Sequence, residues 1–105
     1  MAAYVVAQME VHDPVKYREY ATKVGATVSA HGGRFLAANN ADVKEGDLTL
    51  RRTIIGEFPS AEDAHAWYES DAYWEILPLR LESTTSMLLF VEGFSLPPVD
   101  EESRG

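Results

Sequence analysis

Apolar and polar residues alternate at the start of the chain. From Tyr4 to Val11, the residues Val5, Ala7, Met9 and Val11 share one face, and Tyr4, Val6, Gln8 and Glu10 share the other. A period of two predicts a strand. It stops at "HDP", where Asp13 is a good N-cap and Pro14 at the first helical position gives up no helical hydrogen bond. Tyr17, Tyr20, Ala21, Val24 and Val28 then recur at helical spacing. Thr27 and His31 fall on the same stripe, and Gly32-Gly33 ends the helix.

"RFLAA" (34–38) predicts a second strand, the polar segment 39–50 a long loop, and Leu50 to Phe58 a third strand. "PSAED" opens a second helix, with Ser60 as cap and Asp63 placed to reach back to it. Ala61, Ala64, Trp67 and Tyr68 form its inner face. A further helical segment begins near Asp71, read as its N-cap, with Tyr73, Ile76, Leu77 and Arg80 on one side. Pro78 inside that segment predicts a kink or break, because it lacks a donor and clashes with the preceding turn. "SMLLFVEGF" (86–94) is apolar on both faces, which predicts a central strand covered on both sides.

The order is strand, helix, strand, strand, helix, strand. It predicts an α+β, ferredoxin-like βαββαβ fold with an antiparallel four-stranded sheet. Two helices cover one sheet face. The apolar residues on the other face predict a second copy of the chain over it, so the expected partner is the protein itself, as a homodimer. One domain is expected over 1–95, followed by an acidic, proline-led, disordered tail at 96–105.

Composition narrows the function. The 105 residues carry a net charge of −8, which argues against nucleic acid and anionic membrane surfaces as partners. No cysteine is present, so there is no thiolate metal site and no cysteine nucleophile. That usage suits a reducing cytoplasm, as does a start without the features of a signal peptide. No apolar run reaches the roughly 20 residues of a membrane-spanning helix.

The chemistry-bearing residues are few. His12, His31 and His65 have no metal-ligand spacing, and no metal is expected. His31 reads either as a helix-end histidine favoured by the helix dipole or as an acid or base at a pocket mouth. Arg80 on an apolar face, and Arg34 after the glycine pair, read either as salt-bridged, with Glu57 or Glu92 as partners, or as a clamp for a carboxylate or enolate. Trp67 and Tyr68 read as core. Tyr17, Tyr20 and Tyr73 could present hydroxyls to a space between helices and sheet. The candidate ligand site is therefore Tyr17, Tyr20, His31, Arg34, Tyr73 and Arg80, with His31 and Arg80 as the catalytic candidates. Phosphate-binding loops, dinucleotide fingerprints and nucleophile elbows are absent.

"DPVKYREY", "HGGRFL", "GEFPSAEDAHAWYESDAY", "LPLR" and "VEGF", in this order and spacing, resemble the domain-of-unknown-function family numbered thirteen-thirty, over Tyr4 to Phe94. That family belongs to the dimeric α/β-barrel superfamily. The resemblance implies a homodimer whose two sheets face each other as a barrel, and Pro78 before Arg80 is part of the shared pattern. Other branches of the superfamily include cofactor-free monooxygenases of aromatic polyketides, muconolactone isomerases, chlorite dismutase-like haem proteins and stress-responsive barrels. No haem-ligating histidine pattern is present, and no cofactor is expected. Two functions follow as expectations. One is a small-molecule site between helices and sheet, in a cofactor-free enzyme or a binding protein for a carboxylate-bearing or aromatic molecule. The other is a non-catalytic structural or regulatory homodimer.

Overall fold

The computed structural model describes residues 1–94. The elements are β1 (Ala3–Val11), α1 (Pro14–Ser29), β2 (Arg34–Asn40), β3 (Arg52–Phe58), α2 (Ala61–Tyr68), α3 (Asp71–Ser83) and β4 (Thr84–Glu92). All strand pairs are antiparallel, in the order β2-β3-β1-β4. This is the expected βαββαβ arrangement. The expected tail, 96–105, and the boundary before it lie outside the described residues. No helix among the described residues is long and apolar enough to cross a membrane.

Strand alternation sorts the sheet into two faces. In β1, Ala3, Val5, Ala7 and Met9 are buried under the helices. The register continues that face into Arg52, Ile54, Gly56 and Phe58 of β3 and into Ser86, Leu88 and Phe90 of β4. Phe58, Trp67 and Tyr73 complete the core, with Trp67 and Tyr73 ring centroids 4.3 Å apart. The opposite face carries the row Leu89, Val6, Ile55 and Ala37, one residue from each strand. Nothing in the described chain covers it.

The helix starts follow their caps. Asp13 Oδ1 accepts from Lys16 N at 3.1 Å, and Ser60 Oγ accepts from Asp63 N at 3.1 Å while donating to the Asp63 carboxylate at 2.9 Å. Ser70, not Asp71, caps α3, accepting from Tyr73 N at 3.2 Å. Asp71 instead adds its negative charge to the first turn, where the helix dipole favours it.

Three further features differ from the sequence reading. The break at Pro78 does not occur, and α3 runs through it. Pro78 lies on the exposed side with Trp74, so the Trp74 carbonyl that loses its donor is open to water. Strand β4 is an edge strand, not a central one; Leu88 and Phe90 pack under the helices while Met87, Leu89 and Val91 lie bare on the other face. The loop is shorter than expected, since Asn39 and Asn40 pair with Thr53 and Arg52, and Ala41 N donates to Arg51 O at 2.7 Å to close it.

The turn from α1 to β2 needs both of its glycines. Gly32 has φ +76, in the left-handed region. At Gly33 a Cβ would lie 2.6 Å from Phe58 Cε1 and 2.7 Å from Val28 Cγ1. Both neighbours are buried and cannot give way cheaply. Gly33→Ala is therefore expected to destabilise the fold by about 1–3 kcal/mol through overpacking. A urea-unfolding midpoint equal to that of the unsubstituted chain would show that this corner is not tightly packed.

Candidate functional site

A cavity of about 200 Å³ lies between α1, the end of α3 and the helix-facing side of the sheet. Its floor is apolar: Val5, Ala7 and Met9 from β1, Ile54 from β3 and Leu88 from β4. A β-bulge between Phe35 and Ala37 lets Phe35 and Ala38 of β2 both reach it. Tyr17, Tyr20 and Val24 close it from α1, and Trp67 from α2.

Arg80 is the unusual wall. It is only 3% exposed, yet among the described residues no carboxylate pairs with it. The ion pairs among the described residues are Lys16–Glu82, Lys23–Glu19, Arg34–Glu57 and Lys44–Asp42. Among the described residues the Arg80 guanidinium bonds to neutral hydroxyls alone: Nε donates to Tyr73 Oη at 3.3 Å and Nη1 to Ser86 Oγ at 2.7 Å. A guanidinium has five N–H donors, and the others have no protein acceptor among the described residues. Burial pulls its pKa down, but the oxygens of Tyr73, Tyr20 and Tyr68 outweigh that and hold it above the usual value. The group stays a cation, and a buried cation without a counter-charge is costly unless something else supplies one.

The tyrosines extend this polar line. Tyr73 and Tyr20 hydroxyls are 2.8 Å apart. Arg80 can only donate, so Tyr73 accepts from it and has its own hydrogen free for Tyr20. When Tyr73 donates to Tyr20, the Tyr20 O–H is free to donate into the cavity. Burial first, then Tyr73, raises the Tyr20 phenol far above its usual 10.0, against the Arg80 charge. At neutral pH Tyr20 is therefore a donor and not a base. Among the residues lining the cavity there is no His, Asp or Glu. The arrangement can hold an anion and stabilise an enolate, but it offers no side chain to take a proton. Among the described residues, no three His, Cys, Asp or Glu side chains are grouped to hold a metal ion.

The raised Tyr20 pKa also couples to folding. The stability it contributes is whole below pH 10 and is lost as pH rises above that value, because the unfolded chain gives up the proton first. The loss from this group is about 1.4 kcal/mol per pH unit. Tyr20→Phe is expected to flatten the fall in stability between about pH 10 and 11.5. Parallel declines of the two proteins in urea unfolding would contradict it.

Of the six sequence candidates, Tyr17, Tyr20 and Arg80 line the cavity, and Tyr73 stands behind them as the link between Tyr20 and Arg80. His31 and Arg34 do not line it. His31 lies in the turn beyond α1, about 20 Å along the helix from Tyr17 and near the Phe58 end of the sheet. Arg34 is on the open face, where it pairs with Glu57 at 3.0 Å, one of the two partners expected for it. Arg52 was missed. It shares the face of Phe58, Gly56 and Ile54 at a period of two, and counting back along that alternation would have found it.

The model of the family described as "Domain of unknown function (DUF1330)" matches residues 2–94. The chain belongs to the DUF1330 family. No curated protein matches the sequence. Among solved structures, a protein of unknown function from Rhodopseudomonas palustris is similar, with 14% identity over 90% of this chain and 84% of that one, at a TM-score of 0.73. A dimeric ferredoxin-like protein of unknown function from Jannaschia sp. CCS1 has 10% identity, covers 89% and 100%, and has a TM-score of 0.71. SnoaB, a cofactor-independent oxygenase from Streptomyces nogalater, has 11% identity, covers 93% and 98%, and has a TM-score of 0.62. At these identities the likeness is one of fold.

Proposed function

We propose that this DUF1330 protein is a homodimer that binds a small organic carboxylate or enolate between α1, α3 and the sheet of each subunit. One observation carries the reading: Arg80 is buried beside a cavity, charged, and without an acidic partner among the described residues. An incoming carboxylate supplies the missing charge and accepts the free N–H groups in parallel. The apolar floor and the aromatic rings of Tyr17 and Trp67 suit the body of such a molecule. The homodimer is supported by the bare apolar sheet face and by the dimeric state of the similarly folded Jannaschia protein. The absence of cysteine suits work in the cytoplasm.

Donors without a base favour binding over proton-transfer catalysis. A reaction here would need a substrate acidic enough to reach its enolate unaided, which Arg80 and Tyr20 would then stabilise. The test is titration of the purified protein with benzoate and hexanoate by ligand-observed NMR, with native mass spectrometry for co-purified ligand. Saturable binding that depends on Arg80 is expected. Failure of every small carboxylate to bind would leave the alternative, a structural or regulatory homodimer whose cavity is only a packing gap.

A further inference from the structure

Arg80 is not the only unpaired guanidinium on this cavity. Arg52, at the start of β3, also lines it. Its Nε is buried without a hydrogen-bond partner, and no acidic side chain pairs with it among the described residues. Its guanidinium sits over the Tyr17 ring, 5.8 Å from the centroid. The sheet register places it relative to Arg80. Met9 pairs with Arg52 on one side and with Ser86 on the other, and Ser86 Oγ accepts from Arg80. At about 4.8 Å per strand, Arg52 and Ser86 lie about 10 Å apart across Met9. Two positive charges without an acidic partner among the described residues, Arg80 buried and Arg52 half-buried, thus flank one apolar row at the same end of the cavity. A ligand with one negative charge would satisfy one and leave the other unpaired.

We infer that Arg52 is a second anion-binding residue and that the ligand is a dianion, a small dicarboxylate whose apolar linker crosses Met9. Arg80 holds one carboxylate and Arg52 the other, with Tyr17 supporting the Arg52 guanidinium from behind. Packing on Tyr17 keeps the Arg52 side chain in place before the ligand arrives, so less freedom is lost on binding.

This inference rests on the reading of the cavity as an organic-anion site, and one experiment separates the two. Straight-chain dicarboxylates of four to eight carbons are titrated against monocarboxylates of equal length. For at least one length the diacid is expected to bind at least about tenfold tighter than its monoacid. Arg52→Gln is expected to bring that diacid down to the affinity of the monoacid, and Arg52→Lys to restore part of the difference. Equal binding of the two series, or a preference that survives in Arg52→Gln, overturns the role of Arg52 and leaves the Arg80 site standing. Failure of both series to bind overturns the anion site itself.

Discussion

Replacing Arg80 with methionine is expected to remove carboxylate binding while leaving the protein folded. Truncating one member of a buried, hydrogen-bonded charge pair costs about 2–5 kcal/mol of binding, a loss of at least about thirtyfold in affinity for benzoate. The stability of the free protein should move little, because two effects oppose. Methionine removes a buried charge that has no counter-charge, a change that is neutral or favourable for well-packed apolar replacements. Against that stand two lost hydrogen bonds, to Tyr73 and Ser86, worth about 1.5–3 kcal/mol each when one partner is charged. Neither hydroxyl is orphaned, since Tyr73 keeps Tyr20 at 2.8 Å and Ser86 keeps Thr84 Oγ1 at 3.1 Å. A net change within about 2 kcal/mol is expected from thermal unfolding. A structural Arg80 would behave differently: Arg80→Met would unfold the chain, or benzoate would bind both proteins alike. Either result removes the guanidinium from the proposed site.

How much of this could be read from the sequence depends on which periodicity carried each residue. Helical spacing put Tyr17 and Tyr20 on one stripe and Tyr73 and Arg80 on another, and the fold turns both stripes inward, where three of the four reach the cavity. His31 extended the first stripe on paper. The helix ends at Ser29, and the Gly32 turn carries the chain away before the stripe can continue. Arg34 was drawn in by its place after the glycine pair, but in a strand the face is set by parity, and its parity is that of Glu57 on the open side. Arg52 is the first residue of β3, paired with both Met9 and Asn40, and its parity with Phe58, Gly56 and Ile54 puts it on the cavity side, a count that the arginine pair in "LTLRRT" does not itself suggest. The cavity itself was not legible. It depends on the bulge at Phe35–Ala37 and on how far α1 stands from the sheet, and neither has a sequence signature in this chain. The edge position of β4 was misread because apolar residues on both faces report what covers a strand, not how many strands pair with it, and β4 pairs with β1 alone. Its outer face is the one that leads to the second large effect.

Leu89→Asp is expected to split the proposed dimer. Leu89 is 38% exposed and Val91 is 49% exposed in the single chain. Leu89 stands in a row with Val6, Ile55 and Ala37 that runs across all four strands. A water-facing side of an antiparallel sheet is ordinarily polar, and this row is not. In a two-fold dimer that packs sheet against sheet, the substitution buries two carboxylates at once, because each subunit brings its own. At about 2 kcal/mol or more for each, dimer affinity falls by about a thousandfold or more. If the face met water instead, the same change would be a surface substitution worth less than about 0.5 kcal/mol, and would only improve solubility. Light scattering at micromolar concentration reads the difference, with Leu81→Asp as comparator. Leu81 is more exposed than Leu89, at 57%, but it lies on α3, away from the sheet's bare side. The expected pattern is a dimer for the unsubstituted chain and for Leu81→Asp, and a monomer or a loss of soluble protein for Leu89→Asp. A folded monomer in all three cases would mean that this sheet stays open to water, and the barrel arrangement would have to be abandoned. The proposed carboxylate site would survive that outcome, since Arg80, Arg52, Tyr17 and Tyr20 all line a cavity on the helix-facing side of one chain's sheet.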